Sequence, residues 1–492
     1  MSLQLTTSLM KKNTMKKIQQ TIYKAFLLGT VLFYTNQVWA QNQAKNYTLA
    51  LERADRYFHK KEFTKASVIY KQGLVDNPED LNITYKLGLT YWQNFDFKKA
   101  SGFLQKVYQA NPHYDMTLPY YLAYAYQNLH QIKKAERIYQ AYVKHLKQEN
   151  QSKVLAYLNE HITNREMIVK VQKRIEECKN ALVFTNRISK AKVRNIGKII
   201  NSRFQEHSPI ILPDDATLVF TSRRPSRNSK GSKKESTHYD EDILVSVKQK
   251  GIWTTPKKMK GKINSRFHEA CVSLSPDFKT IFLYKDSRQG DIYYSKIAKN
   301  GEWSRPRSLG RPINSSYHES SITISENGKT IYFSSDRPGG FGGLDICKSV
   351  KQQNGKWGKP INLGKKINTP YDDDAPYLHI DGTTLYFSSQ GHNSMGGFDV
   401  FYSELKGNQW QKPINLGAPI NTTNDEIHFT LSADYMHGYY ASGSASQQSH
   451  GETDIYQVTM PQYYVEKARQ IDFRVEQNLR TLTLRKVLSD HF

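Results

Sequence analysis

Residues 313–368, INSSYHESSITISENGKTIYFSSDRPGGFGGLDICKSVKQQNGKWGKPINLGKKIN, are the clearest copy of a cassette that recurs through the C-terminal two thirds of the chain. An Ile-Asn pair places Asn201, Asn264, Asn314, Asn368 and Asn421 at steps of 63, 50, 54 and 53 residues. A Trp-x-x-Pro element recurs at Trp253, Trp303, Trp357 and Trp410, each Trp standing 11 residues before the next such Asn. An Asp followed by a β-branched residue recurs at Asp242, Asp291, Asp345, Asp399 and Asp454. A fixed period with this internal grammar marks a repeat architecture.

Each cassette carries short stretches of period-two alternation, such as Ser321-Ile322-Thr323-Ile324, Ile331-Tyr332-Phe333 and Asp345-Ile346-Cys347, separated by turn residues such as Glu326-Asn327-Gly328. Four antiparallel strands of this length make one propeller blade. The last cassette ends at Asp454-Ile455-Tyr456 without its Trp-x-x-Pro element, and a degenerate half-cassette precedes the first full one at residues 183–201. A ring must close, so residues 190–200 are expected to supply the outer strand of the last blade. Five cassettes predict a five-bladed propeller, with six blades only if the long first cassette hides another. The tryptophans are expected to pack between blades, and each Asp before a third strand to bond loop amides.

A shorter period governs residues 46–147. Ala54 and Gly88, Ala66 and Ala100, and Pro78 and Pro112 are each 34 apart, and the third copy, Ala123 with Ala135, arrives one residue late. The small residues let two antiparallel helices approach, and the aromatics around them fill the gaps. The pattern, with Leu87-Gly88-x-x-Tyr91, matches three tetratricopeptide repeats (TPRs). Residues 154–182 are expected to be a helical cap. The fold class is therefore α + β multidomain, an N-terminal TPR solenoid (41–182) followed by an all-β propeller (183–460) and a tail (461–492). A concave helical face would bind a peptide or partner protein, with Tyr57, Tyr91 and Tyr126 as candidates; the alternative is a packing spacer.

Lys16 and Lys17, the apolar run Ala25–Tyr34 and Val38-Trp39-Ala40 before Gln41 read as a secretory signal over residues 1–40, and a start at Met15 leaves that signal intact. No later stretch is apolar enough for a membrane span, so the mature chain is expected to be periplasmic and without a transmembrane segment. The formal charge is +25, or +20 without the five lysines before residue 41. Such charge attracts acidic proteins or lipid headgroups, whereas export argues against a nucleic-acid partner. Cys178, Cys271 and Cys347 lack metal-ligand spacing and read as small buried hydrophobes. No cofactor or metal is expected.

The run from Arg194 through Glu206-His207-Ser208-Pro209 to Asp214–Arg224 resembles the start of the TolB-like (WD-like) propeller in envelope proteins of the Bacteroidota. Those proteins join TPRs to a propeller and then to a carboxypeptidase-regulatory-like module and an OmpA-like domain, the plan of the PorE component of the type IX secretion system. The resemblance covers roughly residues 46–460 and implies a non-enzymatic scaffold, peripherally associated with the outer membrane, whose partners are outer-membrane or secretion-system components. Two departures matter: there is no lipobox, and only 32 residues follow Met460. Peptidoglycan binding is therefore not carried over.

Loops on one propeller face hold Phe204, Phe267, Tyr317 and Tyr371, followed by Gln205-Glu206, His268-Glu269, His318-Glu319 and Asp372-Asp373-Asp374, with Asp425-Glu426 in the last blade. Because the pattern is the same in every blade, a structural corner is the expected reading and a binding funnel the alternative. Five-bladed propellers also host glycosidases, which need convergent carboxylates, so a glycan-binding or glycoside-hydrolysing protein is the runner-up. The first cassette breaks the symmetry with the insertion Pro225–Asp240. Arg223, Arg224, Arg227, Lys230, Lys233, Lys234, Lys257 and Lys258 would make it a basic patch for an acidic partner or lipid headgroups.

Overall fold

The computed structural model describes residues 45, 47–148, 164–186, 189–225, 241–264, 268–286, 289–443 and 449–462. The signal segment, part of the expected cap, Arg227, Lys230, Lys233, Lys234, Phe267 and the tail beyond 462 lie outside them. The described residues fall into two compact units that divide between Tyr121 and Leu122.

The first unit holds helices α1 (47–59), α2 (Phe63–Asp76), α3 (Leu81–Gln93), α4 (Phe97–Ala110) and the start of α5 (Leu118–Asn128). The small residues do what their spacing predicts. Ala54, Ala66 and Ala100 are fully buried, and a Cβ on Gly88 would meet Leu104 at 2.8 Å. Asp80 and Asp96 cap α3 and α4 by accepting backbone N–H bonds, satisfying donors that a helix start leaves open. Lys86 bonds Asp55 at 2.7 Å and ties the first hairpin to the second.

The second unit contains the rest of α5, α6 (Ile132–Gln148), α7 (Asn164–Thr185) and a five-bladed propeller. Blade 1 is β2 (Glu206–Ile211), β3 (Thr217–Ser222) and β4 (Asp242–Gln249), with short outer pieces β5 (Ile252–Trp253) and β6 (Lys257–Lys258). Blade 2 is β7 (Glu269–Leu274) to β10 (Arg307–Ser308), and blade 3 is β11 (Glu319–Ile324) to β14 (Ile361–Asn362). Blade 4 is β15 (Asp373–Leu378) to β19 (Ile414–Asn415). Blade 5 combines β20 (Glu426–Leu431), β21 (His437–Ser442) and β22 (Asp454–Thr459) with β1 (Lys192–Asn195). The strand from the segment after α7 thus closes the ring: Val193 pairs with Val458 and Asn195 with Tyr456.

The cassette's fixed residues each have one job. Every repeated Asn holds the backbone of the residue after the repeated Asp with both ends of its amide. Asn314 accepts from Ile292 N at 3.0 Å and donates to Ile292 O at 2.8 Å; Asn201, Asn264, Asn368 and Asn421 do the same to Ile455, Ile243, Ile346 and Val400. The tryptophans bridge blades. Trp303 of blade 2 lies in one apolar cluster with Val219, Ile243 and Ile263 from blade 1, and Trp410 of blade 4 lies with Tyr332 and Ile346 of blade 3. Every inner strand carries a register shift near its middle, and three of these bulges place Ser208, Ala375 and His428 in the left-handed region. A space of about 20 Å³ lies among the inner strands, lined by Ile210, Val272, Thr323, Tyr377 and Phe429.

Replacing Asn368 by Ala would leave the Ile346 N–H unpaired in a buried strand and strip its C=O of one of two donors, Leu363 N remaining at 3.0 Å. Urea unfolding followed by tryptophan fluorescence should show a loss of about 1–3 kcal/mol.

Candidate partner-binding surfaces

The acids that open the inner strands are withdrawn from solvent: Glu206, Glu269, Glu319, Asp373 and Glu426 are all fully buried. Glu319 accepts from Ser315 N at 2.8 Å, Ser315 Oγ at 2.6 Å and Ser335 Oγ at 2.8 Å. Glu206 repeats this with Ser202 and Ser222, and Glu426 with Thr422 and Ser442. In blades 1–3 a cation completes the corner, Arg224, Lys285 and Arg337 each at 3.0 Å. Blades 4 and 5 differ. Gly391 stands where blade 3 has Arg337, and among the described residues no cation pairs with Asp373 or Glu426. Burial then pushes Asp373 up to about 7 and Glu426 well above the carboxylate range. The carboxylates a hydrolytic funnel would use are therefore each enclosed in a separate corner.

The residues beside these acids clasp neighbouring blades. Asp372 Oδ1 accepts from Leu344 N at 2.9 Å, Asp425 Oδ1 from Phe398 N at 2.8 Å, and His318 Nδ1 donates to Gln289 O at 2.8 Å. A Cβ on Gly342 would come within 2.2 Å of Tyr371 O, so this glycine is required by the close approach of two blades' loops. His268 is half-buried in the blade 2 loop. Tyr317 remains exposed on this face, and Tyr371 lies under the Lys173 ammonium at 4.9 Å.

Of the basic patch, Arg223 and Arg224 turn inward. Arg223 bonds Glu241 at 2.7 Å, and Arg224 belongs to the Glu206 corner. Lys257 and Lys258 lie exposed on β6, with Lys258 reaching Asp242 at 2.5 Å. At the funnel, burial opposes ionisation of Glu241, but the His207 ring and Arg223 hold it down at about 2. His428, desolvated, is lowered to about 4. Among the described residues no group of His, Cys, Asp and Glu is arranged to hold a metal ion.

The helical candidates share one environment. Tyr91 and Tyr126 are buried and Tyr57 half-buried, and the first turn of each following helix lays Lys99, Lys134 or Lys65 over the ring at 5.2–5.5 Å. These tyrosines fill their own hairpins.

What sequence reading missed is the contact of α5–α7 with blades 4 and 5. Thr423 Oγ1 donates to Gln127 O at 2.8 Å, Asn180 Nδ2 to Ser394 O at 2.9 Å, and Lys173 Nζ to Ser394 Oγ at 2.8 Å. Glu177, buried, pairs with Arg174 at 2.8 Å and accepts from Gln127 at 3.1 Å. Two cavities flank this contact. One, about 630 Å³, lies between the α5–α6 corner, the end of α7 and the loop Ala418–Thr423. The other, about 590 Å³, is lined by Tyr124, Arg165, Lys170, Arg174, Tyr371 and Asp425. The available signal was the missing arginine at Gly391. No helix among the described residues is long and apolar enough to cross a membrane.

No protein-family model and no curated protein matches the chain. Among solved structures, MamA from AMB-1 is similar over 28% of this chain and 64% of that one, at 20% identity and a TM-score of 0.23. The TPR domain of Sgt2 from Aspergillus fumigatus is similar over 29% and 82%, at 17% identity and 0.22. BT0996, solved as an RGII complex, is similar over 58% of this chain and 96% of that one, at 8% identity and 0.38.

Buried neutral acids predict a pH dependence. Asp399 is pushed up to about 8 by burial, with one oxygen unpaired and the other accepting from Met395 N and Asn415 Nδ2. An acid whose folded pKa exceeds its ordinary 3.8 holds its proton more tightly when folded. Its stabilisation is full below pH 4 and is lost as pH rises towards 8. Asp399→Asn should flatten that fall by up to about 1.4 kcal/mol per pH unit, read from thermal unfolding at a series of pH values.

Proposed function

We propose that this protein is a non-enzymatic scaffold of the cell envelope. In this reading it is exported to the periplasm, associates peripherally with the outer membrane and organises other envelope proteins, with type IX secretion or gliding machinery as the leading context. The observation that carries the reading is how the repeated polar residues are used. Every acid repeated around the propeller face is consumed in a buried corner or an inter-blade clasp, so the face offers shape and rim residues rather than a carboxylate constellation. The open cavities flank the α5–α7 contact with blades 4 and 5, a composite surface suited to protein partners. The signal-like N-terminus and the resemblance to envelope proteins support the location.

Immobilised chain from residue 41 onward, exposed to envelope extract, should retain outer-membrane or secretion components at salt concentrations that strip charge-only contacts. Recovery of none, together with saturable oligosaccharide binding, would replace the scaffold by a glycan-binding reading.

A further inference from the structure

The α5–α6 corner that reaches blade 5 has two counterparts in the same chain. Lys61, Phe95 and His130 hold the same place after Tyr57, Tyr91 and Tyr126, and all three are left-handed, with φ of 59°, 57° and 56°. The residue that follows each donates its N–H to that tyrosine's carbonyl at 2.9 Å in all three cases. The corners therefore share one backbone shape. The third is held by blade 5: Thr423 Oγ1 donates to Gln127 O at 2.8 Å and lies 3.2 Å from His130 Nδ1. It thereby adds a second donor to a carbonyl at the helix end that also accepts from His130 N at 3.0 Å, as the Trp92 carbonyl accepts from Phe95 N at 3.1 Å.

The cleft that holds this corner also has a counterpart. The loop Ala418–Thr423 reads Ala-Pro-Ile-Asn-Thr-Thr, and the same cassette segment between blades 2 and 3 reads Arg-Pro-Ile-Asn-Ser-Ser over Arg311–Ser316. There it walls an open cleft of about 390 Å³, completed by Gln289, Asp291 and Tyr317. The hydroxyl of Ser316 stands at the cassette position of Thr423. Arg311 and Ser316 are exposed, and neither side chain is hydrogen-bonded or ion-paired among the described residues.

The differences between the two clefts match the differences between the corners. Where blade 5 has Ala418 facing a corner tipped by His130, the open cleft has Arg311, and the α3–α4 corner is tipped by Phe95, 70% exposed. A guanidinium over an aromatic ring is a favourable contact, and the half-exposed ring of Tyr317 adds apolar surface beside it.

We propose that the cleft between blades 2 and 3 binds the α3–α4 corner of a second copy of this chain. Ser316 donates to the carbonyl of Trp92, and Arg311 covers the Phe95 ring. The two surfaces differ, so the contact is heterologous and builds rings or open chains rather than a closed pair. This holds whatever envelope partner the scaffold takes.

Sedimentation velocity of the full chain tests the proposal. The wild-type protein should self-associate with rising concentration through the micromolar range, and Phe95→Asp, Arg311→Glu and Ser316→Trp should each remain monomeric with unchanged melting. A mixture of F95D and R311E retains one intact corner and one intact cleft, and should form a one-to-one dimer and nothing larger. A monomeric wild type overturns the proposal, even one that binds helical repeats of another protein, as does assembly of the variants to the wild-type extent.

Discussion

A ring of blades must end where it begins, and here the join is made by four residues. β1 lies on β22 with Val193 opposite Val458, and Arg194 reaches Gln457 with two bonds of 2.6 and 2.8 Å. The join repeats contacts found inside other blades. Asn195 donates to Asp454 at 2.8 Å, as Asn362 does to Asp345 and Asn415 to Asp399. Asn201 then holds Ile455 as Asn368 holds Ile346. The closing strand is therefore chemically an ordinary outer strand, delivered from the other end of the chain. Bringing segments so distant in sequence together costs loop-closure entropy that grows only slowly with length. Once formed, the join leaves few residues between α7 and the sheet, and Ser189 N already bonds Ala418 O at 2.9 Å. Ring closure and the seating of α7 are thus linked through one short segment of chain.

The corners show how a repeat absorbs a specialised neighbour. A buried carboxylate needs a counter-charge, several donors or a proton. Blades 1–3 supply the cation. Among the described residues blades 4 and 5 supply donors alone, and burial raises the pKa of their acids. The blade that gives up its arginine keeps a loop of the same length as blade 3's, and Ser394 on that loop receives Lys173 and Asn180 from α7. The arginine that would fill the corner is traded for a surface on which a helix can sit. Lys173 is itself lowered by burial, although Glu177 stands beside it at 3.5 Å.

Much of this was legible in the chain. Five cassettes, the borrowed strand, the bridging tryptophans and the loop amides of Phe341 and Gly342 bonded by Asp345 follow from spacing, because each is a local pattern copied with little change. The TPR hairpins follow for the same reason. The seating of the helices was not legible. Thr423, Gln127 and Glu177 come from stretches with no shared period, and their contact depends on three-dimensional closure. The patch around Arg223 and Arg224 shows the opposite limit. Composition marks them as free cations, yet an acid lying 18 residues away in sequence claims each one, Glu241 for Arg223 and Glu206 for Arg224. Charge counted along a chain overstates charge offered to a partner.

The same reasoning locates function in the departures from regularity. An element identical in all five blades must serve the ring, since a partner that broke fivefold symmetry would have no use for five copies. Asn314 belongs to that class, as does the acid at Glu319, which is Asp373 in blade 4, and Trp303 comes close with copies in four blades. Elements that differ carry the information: Gly391 in place of an arginine, Ala418 in place of Arg311, His130 in place of Phe95. Each changes what one junction can accept without changing the backbone that presents it. A repeat protein diversifies in this way at low structural cost, because the fold is held by the invariant positions and the junctions are left to vary.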